Sequence, residues 1–121
     1  MEVRQGEIIA IVGPSGAGKS TFLQILGTLG IADAGTILYD GVEVNKLNDR
    51  RVAQFRNQNI GFVFQFHHLL PEFTSLENVC LPAFISGTLR HEAEQKAKEV
   101  LSFLNMQERL SHKPNELSGG E

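Results

Sequence analysis

The apolar and polar positions along this chain change their period several times, and each change predicts an element. Ile8-Ile9-Ala10-Ile11-Val12 and Ile60-Gly61-Phe62-Val63-Phe64 are unbroken apolar runs. Short runs of this kind, rich in β-branched and aromatic residues, predict strands buried in a parallel sheet. Phe22-Leu23-Gln24-Ile25-Leu26 is helix-prone, and Gly27, Gly30 and Gly35 then punctuate a turn region. Thr36-Ile37-Leu38-Tyr39 and Val42-Glu43-Val44 flank Asp40-Gly41, the strongest short hairpin signal in the chain. Asn48 to Asn57, with Val52 and Phe55 as its apolar positions, predicts a short helix.

Beyond residue 70 the helical period takes over. Thr74-Ser75-Leu76-Glu77 matches a capping box, predicting a helix through Asn78-Val79-Cys80-Leu81 that Pro82 ends or kinks. From His91 to Leu104, the residues Ala93, Ala97, Val100, Leu101 and Leu104 share one helical face. Glu92 with Lys96 and Glu94 with Lys98 are spaced for i, i+4 pairs on the wet side. No internal repeat or low-complexity stretch interrupts the pattern. The chain therefore divides into a partial α/β core over residues 1–69 and a helical module over 70–121.

Composition narrows the function classes. The 121 residues are 41% hydrophobic and 21% charged, the balance of a soluble globular protein. A net charge of −3 implies no basic face and argues against nucleic acid as a partner. No apolar stretch approaches the length of a membrane span, and Met1 to Gly6 shows no signal-peptide pattern. Cys80 is the only cysteine, which leaves no internal disulfide or thiolate cluster and fits a reducing, cytosolic setting.

The first chemistry lies between the first apolar run and the first helix. Gly13, Pro14, Ser15, Gly16, Ala17, Gly18, Lys19, Ser20 and Thr21 form a complete phosphate-binding loop, G-x-x-x-x-G-K-[ST], in its strand–loop–helix context. The glycines let the backbone turn its N–H groups towards phosphate oxygens, and the following helix adds the positive end of its dipole. Lys19 is placed to reach the β- and γ-phosphates, and the Ser20 hydroxyl to ligate Mg²⁺. A plain glycine turn is the alternative, but every fixed position is filled. Gln65 follows directly on the run Ile60–Phe64, at the strand end where ligands of open α/β sheets bind. A neutral amide there can contact Mg²⁺ or hold an attacking water; alone it reads more readily as a strand cap. Leu117-Ser118-Gly119-Gly120-Glu121 offers bare backbone N–H groups and a hydroxyl to an anion, or an ordinary glycine turn.

The order phosphate loop, strand-Gln, helical stretch, Leu-Ser-Gly-Gly-Glu resembles the nucleotide-binding domain of ATP-binding-cassette (ABC) transporters. Gly13–Thr21 match its Walker A, Gln65 its Q-loop and Leu117–Glu121 its signature motif in a Glu-ending variant. The stretch from Gly61 to Val79, with Phe66-His67-His68, looks most like the ATPase subunits of bacterial lipoprotein-releasing transporters; those of macrolide exporters and cell-division systems are close relatives. The resemblance implies a P-loop NTPase fold, ATP and Mg²⁺ as ligands, and a second ATP-binding domain facing the first head to tail. It implies that Ser118, Gly119 and Gly120 touch ATP held by the partner copy. Gln65 and the residues after it would face a membrane permease, at the cytoplasmic face of the bacterial inner membrane.

The family pattern also includes a Walker B strand ending Asp-Glu, a switch-loop His and an adenine-stacking aromatic, and residues 1–121 hold no match to them. The chain is therefore expected to be a fragment that is poorly soluble alone and hydrolyses no ATP by itself. A soluble ABC ATPase of translation or repair stands as a different class, against which the missing basic clustering counts. A P-loop kinase would leave Gln65 and the Leu117–Glu121 motif as coincidences. His67 and His68, adjacent in a loop with no supporting ligand, read as packing rather than a metal pair. His91 and His112 read as solvated, and Arg50, Arg51 and Arg56 as a wet helix face. Tyr39 and Cys80 read as packing residues.

Overall fold

Local chemistry decides where the helices begin. The computed structural model describes residues 1–65 and 68–121. Its helices are α1 (Lys19–Leu26), α2 (Asp49–Asn59), α3 (Ser75–Ile85) and α4 (Arg90–Phe103), with 3₁₀ turns at Val44–Lys46, Gln107–Arg109 and Pro114–Glu116. Two compact units emerge, Met1–Val52 and Ala53–Glu121.

In the first unit, Asp40 and Gly41 take φ of 47° and 82°, the double positive-φ turn that the Asp-Gly pair predicts. They join β1 (Leu38–Tyr39) to β2 (Val42–Glu43), antiparallel, with Leu38 opposite Glu43 and Tyr39 opposite Val42. The hairpin extends through Val44 N–H donating to Ile37 O at 3.1 Å and Ile37 N–H donating to Asn45 Oδ1 at 2.7 Å. The Tyr39 hydroxyl donates to Leu26 O at 2.6 Å, which ties the hairpin to the end of α1. Partial burial of the phenol raises its pKa.

The parallel sheet expected from Ile8–Val12 and Ile60–Phe64 does not form among the described residues, where the β1–β2 hairpin is the only ladder. A strand is a relation between two segments, and neither run has a paired neighbour; Ile8 and Val63 are fully exposed. The side chains of residues 62 and 64 nonetheless meet on one side of the segment. The rings of Phe62 and Phe64, two residues apart, stack at 5.2 Å with planes 5° apart.

The second unit is organised by α3 and α4. Leu76, Cys80 and Ala83 line one face of α3 at helical spacing, and they pack on Ala93 and Ala97 of α4. Small residues at this contact let the two backbones approach closely. Leu101, also buried, continues the face, and its burial is worth about 1.5–3 kcal/mol. Val100 and Leu104, expected on that face, are instead half exposed: the buried stripe follows the strict i, i+4 row from Ala93 through Ala97 to Leu101. The ion pair that forms along α4 is Arg90 Nε to Glu94 Oε1 at 2.7 Å, rather than either Glu–Lys pair.

Helix α3 starts on the predicted capping box. Glu77 N–H donates to Thr74 Oγ1 at 3.3 Å, and Thr74 N–H donates to Glu77 Oε2 at 2.8 Å. Pro82 does not end the helix, which runs on to Ile85. The Pro82 carbonyl accepts from Asn57 Nδ2 at 3.0 Å as well as from Ser86 N–H. The first amides of α3 find carbonyls far along the chain: Ser75 N–H and Oγ–H donate to His112 O, and Leu76 N–H to Leu110 O. His112, expected to be solvated, is thus a capping residue through its main chain.

One small device recurs: a glutamate carboxylate accepting the N–H of the residue three before it. It closes Arg4–Glu7 and Thr74–Glu77 at 2.8 Å, Lys113–Glu116 at 2.7 Å and Ser118–Glu121 at 2.8 Å.

Candidate functional site

The phosphate-loop residues sit between the first apolar run and α1. Gly16 and Gly18 take φ of 78° and 82°, conformations that cost a residue with a Cβ about 1–2 kcal/mol. Gly18 is the N-cap of α1, so Lys19 and Ser20 open the helix. The loop is drawn together by Ala17 N–H donating to Pro14 O at 3.3 Å. Lys19 Nζ donates to Gly13 O at 2.9 Å and to Pro14 O at 2.7 Å. The ammonium therefore lies over the loop's own backbone, half-buried, while Ser15, Gly16, Ser20 and Thr21 are exposed. Phe22 N–H donates to Gly18 O at 2.8 Å, the first bond of the helix. The free amides of its first turn add the positive end of the helix dipole to the Lys19 charge. This geometry suits a polyanion: fixed donors, one flexible cation and a hydroxyl on a rigid first turn.

In the second unit, Gln65 is exposed and follows the extended segment that ends at Phe64. Phe66 and His67, two of the residues on which the lipoprotein-release resemblance leans, lie outside the described residues. His68 packs edge-on against Phe64, their ring centroids 4.9 Å apart. The loop beyond is fixed by a residue that sequence reasoning passed over. Asn78 Oδ1 accepts Leu70 N–H at 2.9 Å, while Asn78 Nδ2 donates to Leu70 O, Phe73 O and Thr74 O at 3.0–3.1 Å. The available signal was an amide one turn into a helix, directly after a loop with its own chemistry. Beside this loop opens a largely apolar cleft of about 480 Å³, with Phe73, Leu76, Phe84 and Arg90 among its walls.

Ser118, Gly119 and Gly120 are exposed and form a tight turn, Glu121 N–H donating to Ser118 O at 3.1 Å. The Glu121 carboxylate accepts Ser118 N–H on one oxygen and Arg109 Nε on the other, the latter at 2.7 Å. The Ser118 amide first, and then Arg109, hold its pKa down to about 2. Arg109 is the second residue whose contact the sequence hid, because its partner lies twelve residues away. No helix among the described residues is long and apolar enough to cross a membrane.

The sequence matches the ABC transporter family over residues 1–121. It is 60% identical to the lipoprotein-releasing system ATP-binding protein LolD of Bacteroides thetaiotaomicron, covering all of this chain and 56% of that protein. Against the protein of the same name from Porphyromonas gingivalis the identity is 58%, over 98% of this chain and 54% of the other. Among solved structures, the ATP-binding cassette MJ0796, a dimer bound to ADP and Pi after hydrolysis, superimposes with a TM-score of 0.87 at 39% identity. That match covers 99% of this chain and 53% of the other. A second dimeric structure of MJ0796, described as a bacterial ABC transporter cassette, gives 0.86 at 40% identity with the same coverage. The chain thus spans about half the length of the relatives it matches and has their P-loop NTPase fold.

Proposed function

The chain belongs to the ABC transporter family, and from that premise we propose that it is part of the ATP-binding subunit of a lipoprotein-releasing system, coupling ATP binding and hydrolysis to release of lipoproteins from the bacterial inner membrane. One observation carries the nucleotide part of the reading: two positive-φ glycines bring the loop onto the first turn of α1 with Lys19 Nζ over it. Residues Gly13–Thr21 would wrap the phosphates of ATP with backbone N–H groups, and Lys19 would neutralise the β- and γ-phosphates. For Mg²⁺, the Ser20 hydroxyl and the Gln65 amide would each supply a neutral oxygen of the kind this hard cation takes. When bound, the cation would screen charge between the phosphate oxygens; Gln65 is the residue we assign to orienting the attacking water.

The likeness to LolD proteins and to dimeric cassettes supports the remaining assignments. Two copies would face each other head to tail. Ser118, Gly119 and Gly120 would touch the γ-phosphate of ATP held by the partner copy, so that closure depends on ATP and hydrolysis removes the shared ligand. Residues 65–73 would meet an integral permease at the cytoplasmic face of the membrane. The test is reconstitution of the full-length protein with its permease subunits in liposomes carrying a lipoprotein. ATP-dependent lipoprotein release that is lost in Lys19→Ala is the expected result. ATPase activity indifferent to the permease, with no release, would overturn the transport assignment.

A further inference from the structure

We propose that Arg109 and Glu121 are a positioning pair that fixes the Ser118-Gly119-Gly120 turn in the shape needed to meet phosphate, an inference that rests on the phosphate-contact reading of that turn. Two consecutive glycines carry more backbone freedom than any other pair, so a turn built on them is costly to order. Here the order comes from a carboxylate. Glu121 Oε2 accepts Ser118 N–H at 2.8 Å, and Glu121 N–H returns to Ser118 O at 3.1 Å, closing the turn at both ends. Ser-x-x-Glu is the pattern in which a glutamate reaches back to the amide three residues earlier. Glu121 Oε1 is then taken by Arg109 Nε at 2.7 Å.

Three observations lift this above an ordinary surface ion pair, whose worth is about 0–1 kcal/mol. First, the same carboxylate serves both partners, so Arg109 holds a group that is already part of the turn. Second, Arg109 is itself anchored. Its N–H donates to Met106 O at 2.9 Å and its carbonyl accepts His112 N–H at 3.0 Å. The carbonyls of Leu110 and His112, immediately after it, accept the first amides of α3, and Ser75 there is buried. The turn is thereby referred to the helix pair rather than to a loose side chain. Third, among the four glutamate clasps of the described residues, only that of Glu121 has its other oxygen bonded to a guanidinium. The chemistry also requires Glu at this position. A glutamine has one acceptor oxygen, so it cannot receive Ser118 N–H and Arg109 Nε on separate atoms.

The experiment uses the full-length protein with its permease, comparing Arg109→Ala, Arg109→Lys, Glu121→Gln, the Arg109→Ala/Glu121→Gln double variant and Ser118→Ala. Steady-state ATPase kinetics are read beside hydrogen exchange of the peptide containing Ser118 and the urea midpoint. We expect Arg109→Ala and Glu121→Gln each to raise KM for ATP about tenfold, the scale of one charge-assisted hydrogen bond. Exchange at Ser118 should quicken while the urea midpoint stays put. The double variant should be no worse than either single one, because both remove one linkage, and Arg109→Lys should restore part of the loss. Unchanged exchange at Ser118, additive losses, or a KM shift matched by a fall in the urea midpoint would each overturn the positioning role. Ser118→Ala separates the two ideas. If it leaves KM unchanged, the phosphate-contact reading fails together with the role built on it. If it raises KM while Arg109→Ala and Glu121→Gln do not, only the positioning role fails.

Discussion

Replacing Asn78 by Ala removes the amide that holds the loop from Leu70 to Thr74 against the start of α3. Four contacts meet at this side chain, three of them from Nδ2, which has two hydrogens to share among Leu70 O, Phe73 O and Thr74 O. No more than three full bonds are therefore at stake. Each contributes about 0.5–1.5 kcal/mol net, and the low end applies because this loop is open to water that can replace the lost partner. The expected cost is about 1–2 kcal/mol, a urea midpoint lower by about half to one molar in the full-length protein. Leu70 N–H should also lose protection against hydrogen exchange. Asn78→Asp sharpens the test. It keeps an acceptor for Leu70 N–H but turns a carboxylate on three carbonyls, so at neutral pH it should be at least as harmful as Ala. Part of that harm should be relieved near pH 4, where a carboxyl regains a proton to donate. If Asn78→Asp matches the wild type at pH 7 in both measurements, the clamp does not exist as described.

Lys19→Ala removes a charge that lies over the loop carbonyls; loss of one or two charge-assisted bonds to phosphate should weaken ATP binding about 10–100-fold by calorimetry, with the urea midpoint little changed. Gly41→Ala places a Cβ at φ 82° in the hairpin turn and should cost about 1 kcal/mol in a denaturant titration, with the larger loss in the first unit's exchange protection. Acid should act through the glutamates. Glu121 sits at about 2 through the Ser118 amide and Arg109, Glu77 is lowered by its bonds from Thr74, and Glu94 by its bond from Arg90. For Glu77 and Glu94, which hold the helix pair, folded-state values below the ordinary 4.5 mean that their stabilisation is complete above that pH and fades as pH falls through the folded values. The wild type should therefore lose stability more steeply than Glu77→Gln as pH falls below 4.5, as read by thermal melts.

What could be read from the chain was what neighbours in sequence decide. Asp40-Gly41 needs only its own two φ angles to make a hairpin, and Thr74 needs only Glu77 to start a helix. The shape of the loop before α1 was legible for the same reason, since Gly16, Gly18 and Lys19 lie within one turn of each other. Pro82, read as ending or kinking α3, is carried inside it: its missing N–H costs one bond, to the carbonyl four residues back, and the helix runs on to Ile85. Val100 and Leu104 fit the helical period, but a facing surface narrow enough to cover only Ala93, Ala97 and Leu101 left them in water. The runs Ile8–Val12 and Ile60–Phe64 have the composition of strands, yet pairing depends on a neighbour that no local pattern specifies. Asn78 and Arg109 were hidden likewise, one by a partner eight residues back and the other by one twelve residues ahead.

The four glutamate clasps share an asymmetry that bears on how such a sequence tolerates change. In each, the carboxylate grips a main-chain N–H, which Arg4, Thr74, Lys113 and Ser118 all supply; only at Thr74 does the helix cap add a side-chain acceptor for the glutamate's own N–H. As far as the carboxylate–amide bond goes, that position is free to vary or to be given over to another task. The glutamate has no such latitude. At Ser118–Glu121 the turn rests on the last member of the tetrapeptide gripping the main chain of the first, a bond that does not depend on which side chain residue 118 carries. A library randomised at residues 118 and 121 should therefore yield folded variants with many residues at 118 and very few at 121, while active ones are restricted at both.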